Sequence, residues 1–66
     1  MQTYIETPLH LVTRDRLGHY LVISKATSKS AYFQGDDSRA LESEIEHRPM
    51  TKLDSVLAQY ESVMTA

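Results

Sequence analysis

The period of the hydrophobic residues changes once along this chain, at Gly35, and that change constrains the fold more than any motif does. Residues 2–14 alternate cleanly between apolar and polar, and the half before Gly35 as a whole reads as strands with two distinct faces. Beyond Gly35 the spacing is helical. Ala40, Leu41 and Ile45 form a thin stripe, and Leu53, Val56, Leu57, Tyr60, Val63 and Met64 recur at i, i+3, i+4, i+7, i+10 and i+11. Strands followed by helices define an α+β chain, with the helices laid on one face of an antiparallel sheet.

Local signals divide the two halves. Asp15-Arg16-Leu17-Gly18 suits a three-residue hairpin loop, Arg16 to Gly18, closed by a left-handed glycine. Asp15 then faces His19, Thr13 faces Leu21 and Leu11 faces Ile23. A polar turn, Lys25 to Lys29, leads to a third strand, Ser30 to Gln34, with Ile23 expected opposite Ala31 and Leu21 opposite Phe33. Pro8 has no backbone donor, so the first strand is either an edge strand or broken there. Asp36 or Asp37 suits a helix N-cap, and that helix runs to about His47 before Pro49 stops it. Thr51 and Asp54 resemble a capping box for a second helix. The expectation is one domain over residues 1–66, a three-stranded meander followed by two helices on one face, β-β-β-α-α.

These pairings gather Ile5, Leu9, Leu11, Leu21, Ile23, Ala31 and Phe33 on one face, expected to meet the helices. The opposite parity holds Tyr4, His10, Val12, Tyr20, Val22 and Tyr32. An uncovered antiparallel face is ordinarily polar, whereas this one mixes tyrosine and valine. Strand propensity alone favours both residue types, but tyrosine also supplies the contact area enriched at interfaces. Size points the same way. With 66 residues and no cysteine, neither a disulfide nor a thiolate zinc site can staple the core, which leaves association as a source of stability. The Tyr/Val face is therefore the expected partner or homodimer surface.

Charge is polarised. Residues 1–33 carry 4 basic and 2 acidic groups, and residues 34–66 carry 3 basic and 7 acidic groups. Asp36, Asp37, Glu42, Glu44 and Glu46 form an expected acidic surface, either simply solvated or a lure for a basic partner. Arg14, Arg16, Lys25 and Lys29 near the hairpin turns, with Tyr20 and Tyr32, sketch an alternative: a single-stranded nucleic-acid binder using the same sheet face. Four cations in a chain of net charge −2 weigh against it.

Chemistry is sparse. His10, His19 and His47 do not converge in this register. Glu44 and His47 have the Glu-x-x-His spacing of di-iron bundles, which need two such motifs on four helices. Gly18 and Gly35 form no phosphate-binding pattern, and no serine or threonine has a base placed beside it. No enzyme activity, metal or cofactor is expected. The longest apolar run, Tyr20 to Ile23, is far short of a membrane span. Met1-Gln2-Thr3-Tyr4 lacks the basic start of a signal peptide, so a cytoplasmic protein is expected. The functional expectation is a non-catalytic protein-binding module, a small regulator or inhibitor of the kind phages and plasmids carry. It would dock on a larger protein or pair with itself.

Overall fold

A computed structural model describes residues 2–65. Four strands, β1 (Gln2–Glu6), β2 (His10–Arg14), β3 (Tyr20–Ser24) and β4 (Ser30–Phe33), form one antiparallel sheet in the order β1-β2-β3-β4. Two helices follow, α1 (Asp36–Glu46) and α2 (Leu53–Ala58), and cover one face. The class is the expected α+β, but there are four strands rather than three, because Pro8 breaks the first. Thr7 donates its N–H to the His10 carbonyl at 2.9 Å, and His10 returns its N–H to Thr7 Oγ1 at 3.0 Å. Pro8 sits exposed in that turn, where the ladder asks no donor of it.

The β2–β3 hairpin forms in the register its loop dictates. Gly18 takes φ +80°, its N–H reaches the Asp15 carbonyl at 3.2 Å, and Leu11 faces Ile23 while Thr13 faces Leu21. The β3–β4 hairpin differs from the expectation by one residue: Leu21 faces Tyr32 and Ile23 faces Ser30. Ser28 adopts a left-handed φ of 61°, which lets Ser24 donate to the Lys29 carbonyl at 2.9 Å and shortens the loop. In β1 the register shifts between Thr3 and Ile5, a bulge at Tyr4 that turns both Tyr4 and Ile5 toward the core.

These pairings settle which face is covered, and it is the opposite of the one expected. Val12, Tyr20, Val22 and Phe33 pack against Leu41, Ile45, Leu53, Leu57 and Met64. Val22 is 0%, Tyr20 1% and His10 2% exposed. His10, Val12, Tyr20 and Val22 are therefore core residues, and Tyr4 packs half-buried against them. Leu11, Leu21 and Ile23, expected beneath the helices, lie on the open face. The one-residue slip in β4 keeps Ala31 and Phe33 inside and Tyr32 outside, where they were expected, and the bulge in β1 does the same for Ile5.

The helical layer also departs from expectation in detail. The N-cap of α1 is Gly35, at φ 62° and ψ −134°, rather than Asp36 or Asp37. The chain leaves β4 through a positive φ that glycine tolerates, so the helix starts one residue early. Asp36 and Asp37 fall in its first turn, where the dipole favours them. The long second helix is broken into pieces: a 3-10 turn over Met50–Lys52, then α2, then a 3-10 turn over Glu61–Val63. Thr51 lies inside the 3-10 turn, and the N-cap of α2 is Lys52, with no side-chain cap hydrogen bond. Beyond α2 the chain turns so that Thr65 exchanges two hydrogen bonds of 2.9 Å with Ser30 on the outer edge of β4, which swings Met64 into the core. No helix of the described residues is long and apolar enough to cross a membrane.

Candidate functional site

The covered face is rich in side chains that can donate a hydrogen bond, and the helices answer with carboxylates. Tyr20 donates its hydroxyl to Glu42, Tyr4 donates to Glu46 at 3.2 Å, and Ser24 donates to Glu61 at 3.0 Å. His10 Nδ1 lies 2.8 Å from Asp54 Oδ1, which also accepts from the Thr7 hydroxyl. The tyrosines and the acidic helix, expected as two separate surfaces, are thus largely each other's partners. Glu42 and Glu46 spend a carboxylate oxygen on Tyr20 and Tyr4, and Glu44 accepts from Gln59 at 2.8 Å. Asp36 and Asp37 stay fully in the acidic surface, with Asp36 3.8 Å from the exposed Arg39.

Burial, the bond to Glu42 and the neighbouring Tyr4 push the Tyr20 phenol upward. For Asp54, partial burial would raise the carboxyl, but the hydrogen bonds from Thr7 and His10, the His10 charge and the Leu9 backbone together hold it below the usual range.

His10, Asp54 and Ser24 have the composition of a nucleophilic triad, and His10 faces Ser24 directly across the β2–β3 ladder. The geometry is that of a structural network instead. Ser24 is fully buried and gives its hydroxyl to Glu61, not to His10. His10 Nε2 is buried without a hydrogen-bond partner, and Glu61 Oε1 approaches it to 3.6 Å. The other histidines are elsewhere: His19 Nδ1 is 2.7 Å from the Tyr32 hydroxyl, and His47 closes the end of α1 against the Ser43 carbonyl. Among the described residues no three His, Asp or Glu side chains are grouped to hold a metal ion.

The open face is different in kind. Leu11, Leu21 and Ile23 sit side by side at its centre, half-buried only by one another and the sheet, with Leu9 (54% exposed) and Tyr32 (50% exposed) beside them. Its rim is polar but internally paired. Lys25 Nζ reaches Glu6 at 2.6 Å and the Thr7 carbonyl at 2.8 Å. At the other end Tyr32 donates to Asp15 at 3.0 Å, and Asp15 also accepts the Leu17 and His19 N–H groups at 2.9 Å. Of the residues expected on the partner face, Tyr32 alone belongs to this surface.

The aromatic platform of the nucleic-acid alternative does not assemble. Tyr20 is buried, Arg14 stacks over its ring at 5.8 Å, and Lys25 is tied to Glu6. A cleft of about 350 Å³ between the hairpin loop and the start of α1 sets Arg14 and Arg39 against Glu42 and selects no single charge. No family model, curated protein or solved structure matches the chain.

Alternation in the sequence could not choose between the two parities, since both are apolar enough. A finer signal was available. Tyr4, His10, Tyr20 and Ser24 share one face, and Glu42, Glu46, Asp54 and Glu61 lie on the helices, so donors on one layer match acceptors on the other.

Proposed function

We propose that this chain is a non-catalytic protein-binding module, a small regulator or inhibitor that acts by docking the open face of its sheet on protein. One observation carries this: Leu11, Leu21 and Ile23 form a contiguous aliphatic surface that no element of the described chain covers. An antiparallel sheet that faces only water presents polar residues there, and contiguous apolar patches on small proteins mark contact sites. The buried His10 network serves the fold, bonding the covered face of the sheet to the helices. A chain with no cysteine needs no oxidising compartment, and we place it in the cytoplasm.

A photo-crosslinking side chain at position 21, compared with one at position 43 on the exposed side of α1, tests the proposal in the cells that make the protein. Protein adducts from position 21 and none from 43 are expected. No protein adduct from position 21 would overturn it.

A further inference from the structure

We infer that the occupant of the open face is a second copy of this chain, so that two sheets stack face to face with the acidic helices outermost. The inference rests on the docking proposal above and names its partner.

Three observations converge. The first is the rim. When a patch meets its own copy across a two-fold axis, a charge close to the axis faces its like, because only residues near the axis meet their own copies. Here the charged groups beside the patch are already paired within the chain, Glu6 with Lys25, and Asp15 with the Tyr32 hydroxyl and two backbone N–H groups. A surface that selects a different protein by charge would keep such groups open for it. The second is the distribution of the remaining charge. The seven acidic groups of residues 34–66 all lie in the helical layer, on the far side of the sheet from the patch. Stacked sheets sit about 10 Å apart, and each helical layer adds roughly 10 Å more. The two acidic layers are then several Debye lengths apart at physiological salt. The excess cations Arg16 and Lys29 lie in turns at opposite ends of β3, away from the centre.

The third is area. Four short strands present a face of roughly 500 Å² of accessible surface, so a pair buries about 1,000 Å², the lower limit for a specific interface. That size, with an aliphatic centre and no buried charge, fits a weak, reversible dimer rather than an obligate one.

Sedimentation equilibrium of the purified chain over a dilution series tests this, with circular dichroism to check folding. The expected result is a dimer that dissociates on dilution and is insensitive to salt. Leu21→Asp and Leu9→Lys should each shift the midpoint at least tenfold toward monomer while the spectrum stays native. If Leu21→Asp unfolds the chain, Leu9→Lys, at a site already half exposed, decides. A dimer untouched by both variants would overturn the assignment of the face. A monomer at every concentration, with position 21 still crosslinking to a different protein in cells, would overturn self-association and leave the docking proposal standing. A monomer with no adduct would end both.

Discussion

Both faces of this sheet carry apolar residues, yet one is sealed and the other open. The sealed face carries Tyr4, His10, Tyr20 and Ser24 among its valines, and the open face carries Leu11, Leu21 and Ile23. Hydropathy alone would seal the aliphatic face. What decides is that the helices bring Glu42, Glu46, Asp54 and Glu61, each placed to accept a hydrogen bond from the sheet. Carboxylates over leucine and isoleucine would be desolvated with nothing to bond. Carboxylates over tyrosine, serine and histidine are satisfied where they sit.

The largest expected effect separates the faces by one residue. Val22→Asp puts an unpaired carboxylate beneath the helices, at a site with no accessible surface. Its cost, about 3–5 kcal/mol, is comparable to the whole stability of a domain this small. Urea unfolding followed by circular dichroism should find it unfolded without denaturant. Leu21→Asp, on the other side of the same strand, should keep a cooperative transition within about 1 kcal/mol of the parent. The reverse outcome would mean that the faces are exchanged.

The fold class and one hairpin were legible in the sequence because local chemistry writes them. Gly18 closes the β2–β3 loop, and that loop alone fixes the register of Leu11 and Thr13. The break at Pro8 was visible as an option but undecided, because proline permits either an edge or a turn. The β3–β4 register was not legible, since it depends on Ser28 accepting a left-handed conformation that serine does not advertise. The fragmentation of the last helix was hidden for a different reason. Its apolar spacing is sound through Met64, and a long-range pairing of Thr65 with Ser30 overrides it. The candidate site followed these errors. A parity choice made on apolar residues alone placed the uncovered face on the wrong side of the sheet.

A smaller effect tests whether the acceptors hold the sealed face together. Asp54→Asn removes the charge that accepts from both Thr7 and His10 and should cost about 1–3 kcal/mol. The same carboxyl sets a pH dependence. Its folded value lies below the unfolded one, near 3.8, so its contribution is complete above that pH and is lost as pH falls through the lower folded value. Urea midpoints measured from pH 5 down to pH 2 should fall more steeply for the parent chain than for Asp54→Asn. Equal slopes would show that Asp54 bears no part of the acid sensitivity.

The smallest effects distinguish carboxylates turned inward from those left in water. Tyr20→Phe keeps the ring and its packing while removing the hydroxyl that Glu42 accepts, so it isolates one hydrogen bond between the layers. A loss of about 1–2 kcal/mol is expected, because Glu42 is only half-buried and water can replace part of the interaction. Asp36→Asn, at the exposed start of α1, touches no residue of the sheet and should leave the urea midpoint close to the parent's, below the change for Tyr20→Phe. If instead Asp36→Asn proved the more damaging, helix electrostatics would outweigh the bonds between layers, and the matching of donors to carboxylates would no longer explain which face is sealed.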